Sequence, residues 1–356
     1  MEKKKNDFIA QGSILAVASI LVRVMGMIYR IPMTAIIGDK GNGFYSYAYS
    51  VYTILLLLSS YSLPLAVSKM VSAKAQLGQW RNVKRVFICA IAFAIGIGTT
   101  FGLIVLIGAQ FFTRVFFHSE LAAIALRFMA PTILIMALLG VFRGFFQGLQ
   151  NTLPTAVSQI VEGLINAIMS VVFAYFLFDF GHEMDAASGT TDLGYAWGAA
   201  GGAIGTGAGA LAGLIFCFIL FVAYRKILAV NISRDKTGTQ QEYGDIFRLM
   251  LSIALPVILS TALYNLIELV DGSLFNNIMA SKGMEDVKDS MWGAYNAKAL
   301  LLVHIPVSIS SAMAVSLVPT LTAAYALGDE QTAKSKVHAI LRFISILAFP
   351  SAVGLL

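Results

Sequence analysis

The stretch GFYSYAYS, Gly43–Ser50, decides the fold because it returns in altered form as GAYNAKAL, Gly293–Leu300. An offset of 250 residues aligns the two stretches and continues without a gap as far as Lys84 and Lys334. In both copies an apolar run ends in a Leu-Gly turn, and the next run has a basic start. Self-similarity at a fixed offset is typical of transporters built from internal repeats, so the sequence predicts two copies of one helical unit.

The segment ahead of each stretch also aligns, at an offset of 242 residues. The matched positions there are Arg23 with Asn265, Gly26 with Glu268, and Tyr29 with Asp271. Six apolar segments separate the copies. Because six is even, both copies have the same topology, and an axis along the membrane normal relates them. If the second copy also needs six helices, we expect it to lack at least three of them in this chain.

Composition predicts an all-α polytopic membrane protein. Of 356 residues, 58% are hydrophobic and 12% charged, with a mean hydropathy of +0.79. A soluble domain carries about 25% charged residues. Helices satisfy their own backbone hydrogen bonds in lipid, and apolar segments of spanning length recur throughout the chain. The predicted spans are 8–37, 44–72, 85–112, 121–146, 155–178, 194–224, 247–279, 292–326 and 337–356.

Lys and Arg collect in alternate connections, which predicts the orientation. The basic connections are 3–5, 74–85, 225–236 and 334–336. Cytoplasmic loops carry this excess, so the N-terminus is placed in the cytoplasm. The net charge of +6 is assigned to orientation and not to nucleic-acid binding. The predicted domains are a six-helix bundle over 1–226, a cytoplasmic linker over 227–246, and three helices of a second bundle over 247–356.

Two arginines lie within the first predicted span, in RVMGMIYRIPM, Arg23–Met33. Arg23 and Arg30 are seven residues apart, so they share a helix face about 10 Å apart. One reading is that they snorkel or pair with a structural acid. The other is a diphosphate site facing a cavity, because guanidinium groups donate parallel hydrogen bonds to phosphate. Gly26 lies between them and either admits the ligand or packs against a helix.

The seventh predicted span presents acids where the first presents bases. Glu268 and Asp271 share a face, and Asn265 precedes them by one turn. These residues bind a coupling cation, Na⁺ or H⁺, pair with Arg23 across the cavity, or have an unrelated structural role; the sequence leaves all three open. Lys298 in the eighth span is a further candidate for binding the anion. No other cofactor and no certain metal site are predicted.

Other features are assigned to structure. Arg143 either snorkels or pairs with Glu162 in the next span. Glycines recur every three or four residues from Gly194 to Gly213, which is typical of a packing ridge between helices. Cys89 and Cys217 are interpreted as packing residues. The sequence contains no phosphate-binding loop, zinc-ligand spacing or nucleophile elbow, so no enzyme activity is predicted.

The stretch RGFFQGLQNTLPTAVSQIVE, Arg143–Glu162, resembles the junction between spans four and five in SpoVB-like proteins. These are MurJ-related members of the multidrug/oligosaccharidyl-lipid/polysaccharide (MOP) exporter superfamily, which includes the MATE transporters. The first two spans resemble the same family. The resemblance implies two six-helix bundles around a central cavity, the second incomplete here. It matches Arg23 and Arg30 to arginines of the MurJ-like branch, whereas the acids of span seven depart from its usual basic residue.

The resemblance also implies a function. Family members move polyprenyl-diphosphate-linked sugars across the bacterial cytoplasmic membrane, and lipid II is the cargo of the MurJ-like branch. We therefore expect a lipid II flippase working by alternating access, in peptidoglycan or spore cortex synthesis, with cell-wall synthesis proteins as candidate partners. The alternatives are a flippase for another lipid-linked polysaccharide unit and a cation-coupled multidrug antiporter. A non-transporting membrane scaffold is a further alternative, disfavoured by the lack of large extramembrane segments.

Overall fold

The computed structural model describes residues 17–300, a few positions between 302 and 310, and residues 329–355. Within them the chain is helical and contains no strand, which confirms the all-α class. The helices are α1 Val17–Ile28, α2 Arg30–Leu56, α3 Leu63–Gln76, α4 Trp80–Phe117, α5 Ala122–Gly148, α6 Leu153–Ser188, α7 Leu193–Ser233, α8 Tyr243–Ser281, α9 Glu285–Ala294 and α10 Glu330–Leu355. Two short π-helical turns follow α2 and α9, at Leu57–Tyr61 and Tyr295–Ala299.

The helices match the predicted spans but extend beyond most of them. The 36 residues of α6 measure about 54 Å, against roughly 30 Å for a bilayer core, so this helix projects into the headgroup region or beyond. In the described part of the chain, six helices are long and apolar enough to cross a membrane. Residues 8–16 of the first predicted span and 311–326 of the eighth lie outside the described residues, as does the second Leu-Gly turn at Leu327 and Gly328.

A single glycine separates the first two spans. Helical hydrogen bonds continue through Tyr29, whose N–H donates to Met25 O while its own carbonyl accepts from Met33 N–H. The helix is interrupted at Gly38, where φ is 63° and ψ is −176°, a conformation that other residues adopt only with strain. The described part of the first membrane segment therefore ends at 37, and the second segment runs from 39 to 76.

The turns fall into two sets that define the ends of the molecule. The far end holds the connections at Gly38, 118–121, 189–192 and 282–284; the near end holds those at 77–79, 149–152 and 234–242. The near-end connection after α7 is shorter than the linker predicted at 227–246. Residues 227–233 continue α7 and 243–246 begin α8, because apolar and helix-forming residues run through both boundaries.

Packing of α1–α7, the first helix group, places α5 at its centre against α3, α4 and α7. Close to this near end, aromatic rings from α4, α5 and α7 form one cluster. Phe87 stacks on Phe221, meets Phe142 edge-on and packs at a tilt against Phe145. Both cysteines are free and buried in this cluster's neighbourhood, as packing residues.

The glycines of α7 pack against α6. A methyl group at Gly205 would fall on Ser170, and one at Gly201 would fall on the backbone of Ala174. In lipid, where apolar surface alone gives no drive for association, such close approach supplies van der Waals contact between helices. The predicted packing ridge is therefore present.

Candidate functional site

Arg30 opens into a cavity of about 190 Å³ between the first helix group and α8–α9. The wall from the first group is polar and aromatic, and the opposite wall contains Glu268. The lining residues are Arg30, Asn42, Tyr45, Ser46, Tyr49, Glu268, Asn296, Ala297 and Leu300. The cavity thus places a guanidinium from one repeat and a carboxylate from the other in one space.

Tyrosines surround the guanidinium of Arg30. Tyr29, Tyr45 and Tyr49 lie within electrostatic range of it, and Tyr49 is also within range of Glu268. The rings of Tyr45 and Tyr49 stack at 5.8 Å, and those of Tyr49 and Tyr52 lie 5.9 Å apart. The spacing 45, 49, 52 puts all three on one face of α2, because helix neighbours recur every three or four residues. Arg30 is therefore held in an aromatic wall and partly shielded from solvent.

A larger cavity of about 750 Å³ adjoins the first, and Glu268 and Asn296 line both. Asn265 and Asp271 also line the larger cavity, so the three residues predicted on span seven come together. In the described part of the chain, no group of three or more His, Cys, Asp or Glu side chains is arranged to hold a metal ion. Cation binding by this trio stays a prediction.

Other predicted site residues lie elsewhere. Arg23 is exposed on α1, and a methyl group at Gly26 would meet nothing within 4 Å. Neither residue lines the cavity of Arg30. Lys298 donates to Asp39 Oδ2 at 2.7 Å near the far end. The diphosphate role of Arg23, Gly26 and Lys298 stays a prediction.

Arg143 pairs with Glu162 inside the first helix group. Arg143 Nη2 lies 2.6 Å from Glu162 Oε2, and Arg143 Nε donates to Ser158 Oγ at 2.8 Å. The arginine is 9% exposed, so the pairing reading is right and the snorkelling reading is wrong. Gly144 and Gly148, from the same motif, allow α5 to approach the backbone of α3.

At the far end of the molecule, the Arg30 cavity is closed by a contact between equivalent residues of the two repeats. A methyl group at Gly43 would strike the carbonyl oxygen of Asp289, and one at Gly293 would strike that of Asp39. The offset of 250 residues relates Gly43 to Gly293 and Asp39 to Asp289, so the contact is reciprocal. The two copies therefore meet across their own pseudo-symmetry axis.

Side chains reinforce this closure. Lys288 Nζ donates to the carbonyls of Phe117 at 2.9 Å and His118 at 2.7 Å, at the C-terminus of α4. A cation at a helix C-terminus complements the negative end of the helix dipole. Tyr47 donates to Asn276 Oδ1 at 2.9 Å and stacks on Phe117. Burial raises the pKa of the neighbouring Asp289 carboxyl, which the Lys288 ammonium partly opposes.

Comparison with known proteins identifies the family. The model of a family described as polysaccharide biosynthesis protein matches residues 8–324. The chain belongs to this family. It is 25% identical to the lipid II flippase MurJ of Bacillus subtilis strain 168, over 96% of this chain and 62% of that protein. It is 24% identical to stage V sporulation protein B of the same organism, over 89% and 58%. The chain thus spans about three fifths of the length of these relatives.

Solved structures show that this polysaccharide biosynthesis family member has a MOP-superfamily fold. A MOP superfamily transporter from Pyrococcus furiosus superposes with a TM-score of 0.59 at 15% identity, covering 96% of this chain and 70% of that one. A multidrug resistance MATE family transporter in an inward-facing conformation superposes with a TM-score of 0.62 at 15% identity, covering 91% and 72%. The predicted pseudo-repeat fold is confirmed, and the chain is a multi-pass membrane protein.

Sequence reasoning missed the tyrosine wall and the far-end closure of this family member. The spacing of Tyr45, Tyr49 and Tyr52 is a readable signal for one aromatic helix face. The repeat alignment already paired Gly43 with Gly293, and glycines at the matched positions of two repeats indicate close approach near a symmetry axis. Lys288 had no comparable signal, because its acceptors are backbone carbonyls about 170 residues away.

Proposed function

We propose that this protein is a flippase that moves a polyprenyl-diphosphate-linked saccharide across the bacterial cytoplasmic membrane, and that its cargo is lipid II. The observation that carries the proposal is the cavity in which Arg30 of one repeat faces Glu268 of the other. A guanidinium in a partly shielded cavity suits a diphosphate, because its planar donors match two phosphate oxygens. The relative named lipid II flippase MurJ supports this choice of substrate.

The mechanism we propose is alternating access. Positive residues at the near end, including Lys74, Arg81, Lys84 and Arg85, support a cytoplasmic location for that end by the positive-inside rule. With the far end closed, the headgroup enters from the cytoplasmic side and binds Arg30, while the polyprenyl tail stays in lipid between helices. Binding neutralises the guanidinium, which lowers the electrostatic cost of closing the near end.

Resetting needs a source of energy. We propose that Na⁺ or H⁺ binds at Glu268 and Asp271, whose side chains line the larger cavity. A membrane potential supplies about 2.3 kcal/mol per elementary charge per 100 mV, enough to bias the direction of a charged step. No other cofactor enters this scheme. The protein transports its substrate and is proposed to work beside cell-wall synthesis proteins, in vegetative growth or sporulation.

The test is rescue of bacteria depleted of their own lipid II flippase by the gene for this protein. Wild type is expected to restore growth and to expose lipid II on the outer leaflet. Arg30→Ala is expected to fail, and Arg30→Lys to rescue in part, since lysine keeps the charge without the fork. Arg127→Ala, which removes an exposed arginine from α5, is the matched control and should rescue fully.

Two results would overturn parts of the proposal. Rescue by Arg30→Ala at equal expression would remove Arg30 from the mechanism while leaving lipid II as cargo. Failure of wild type, despite correct insertion in the membrane, would reject lipid II and favour another lipid-linked polysaccharide unit.

A further inference from the structure

A third cavity, of about 270 Å³, opens at the near end between the start of α4, the end of α7 and the start of α8. Its basic wall comes from α4 alone. Arg81, Lys84, Arg85 and Ile88 all line it, at positions i, i+3, i+4 and i+7. This spacing places three cations and one apolar side chain on a single helix face. The positive-inside rule accounts for an excess of positive charge at this end of the molecule, but it does not account for a cavity lined by positive side chains.

One of the three cations is fixed in position. Arg85 Nη1 donates to the carbonyl oxygen of Gln241 at 2.6 Å, and Nη2 donates to Gln240 Oε1 at 2.8 Å. Its guanidinium also lies 5.1 Å from the ring centroid of Tyr243. These contacts use two of its five N–H donors and leave the others for a ligand. Because the fork is already ordered, binding an anion would lose little side-chain entropy.

The charge of this cavity is only partly compensated. Among the described residues, the side chains of Arg81, Lys84 and Arg85 make no ion pair within 4.0 Å of a carboxylate. Asp235 adjoins the basic wall, and its pKa is lowered by hydrogen bonds from the backbone N–H of Arg81 and from Thr237. Its carboxylate stays ionised at neutral pH and offsets one of the three positive charges. Among the described residues no carboxylate lines the cavity, so its wall keeps a net positive charge.

The depth of the cavity indicates an amphipathic ligand. Trp80 begins α4 and Tyr243 begins α8, and these residue types concentrate at the membrane–water interface. Ile88 lies one turn beyond Lys84 and Arg85 on α4 and is 43% exposed, and Ile232 near the end of α7 also lines the cavity. If the aromatic residues mark the interface, the positive side chains lie at the headgroup level and Ile88 lies beneath them on α4.

We propose that this near-end cavity, lined by Arg81, Lys84, Arg85 and Ile88, binds the headgroup of an anionic phospholipid of the adjoining leaflet. Basic pockets between transmembrane helices bind such headgroups, with about 1 kcal/mol from each Lys or Arg near the surface. The bound lipid would join α4 to α8, the first helix of the second repeat. The proposal does not rest on the transport function, since it concerns a separate cavity on the lipid-facing side.

The test uses the whole chain purified in detergent and titrated with phosphatidylglycerol or phosphatidylcholine, with the thermal unfolding midpoint as readout. Phosphatidylglycerol is expected to stabilise wild type at lower concentrations than phosphatidylcholine. Removing two charges with Arg81→Gln/Lys84→Gln should weaken the phosphatidylglycerol effect about tenfold or more. Within the described part of the chain neither side chain forms an ion pair, so the lipid-free midpoint should stay close to wild type.

The matched control is Arg225→Gln/Lys226→Gln, which removes the same charge from exposed positions on α7 at the same end. It should change the lipid response less than twofold. Equal weakening by both double variants would overturn the site and leave only diffuse attraction. Stabilisation by glycerol phosphate at the same concentration as phosphatidylglycerol would assign the cavity to a free phosphate. The charge-preserving variant Arg81→Lys/Lys84→Arg should keep the preference for phosphatidylglycerol, and its loss would also count against the proposal.

Discussion

At the scale of single residues, the Arg143–Glu162 pair shows how a charge is kept within the membrane-spanning region. The guanidinium is bound by a carboxylate and by a hydroxyl, and that hydroxyl in turn donates to Thr155 O. Two permanently unpaired charges would be unfavourable here, whereas a hydrogen-bonded pair is tolerated. The pair also connects α5 to α6, so it fixes the hairpin formed by the family-like motif.

We predict that Arg143→Ala destabilises the protein by about 3 kcal/mol, because it leaves Glu162 without its partner. This value is at the lower end of the range for breaking a buried ion pair, because the Glu162 side chain is 25% exposed to solvent. Unfolding in detergent mixtures of rising denaturing strength would measure the change. Arg114→Ala, which breaks an exposed pair with Glu120, should change stability by less than about 1 kcal/mol. Similar losses in the two variants would contradict the argument.

At the scale of helices, the approach of α7 to α6 depends on residues that have no side chain. Gly205 contacts Ser170 so closely that an added methyl group must move a backbone. We predict that Gly205→Ala destabilises the helix pair by about 1–3 kcal/mol, the usual range for an overpacked site. Gly96→Ala is the control: it lies within α4 with nothing inside 4 Å, and alanine there favours the helix by up to about 1 kcal/mol. Thermal unfolding in one detergent compares the two, and an unchanged midpoint for Gly205→Ala would refute the packing role.

Also at this scale, the helices could be predicted from sequence more completely than their contacts. Apolar runs of spanning length, broken at Gly38, Gly78 and Gly189, locate the spans because lipid leaves the backbone few other conformations. The glycine ridge follows from spacing within one helix, whereas the sequence left open whether Arg143 snorkels or pairs with Glu162. Which arginine faces the acids does not follow: Arg23 and Arg30 share a face, and only the three-dimensional packing of two repeats brings Arg30 to Glu268.

At the scale of the whole molecule, duplication explains why the far end closes where it does. Near a pseudo-twofold axis, a segment of one repeat contacts the equivalent segment of the other. A small residue at one position of the repeat therefore allows close approach in both halves of the contact. Gly43 and Gly293 each contact the aspartate carbonyl of the other copy. Both glycines lie in helical backbone with ordinary negative φ, so close approach explains them, and conformational freedom does not.

This reciprocal contact predicts that a larger side chain at Gly293 opens the far end. Valine there would collide with Asp39 O. Overpacking costs about 1–3 kcal/mol, and destabilising the closed state by this amount shifts the ratio of open to closed molecules about tenfold. A cysteine at Ser46, which lines the Arg30 cavity, reports access to it. In right-side-out membrane vesicles, a maleimide that cannot cross the membrane should label Ser46→Cys slowly, and label it about tenfold faster with Gly293→Val added. Gly96→Val, at an uncrowded position of α4, should leave the slow rate unchanged. Equal labelling rates with and without Gly293→Val would show that this contact does not control access to the cavity.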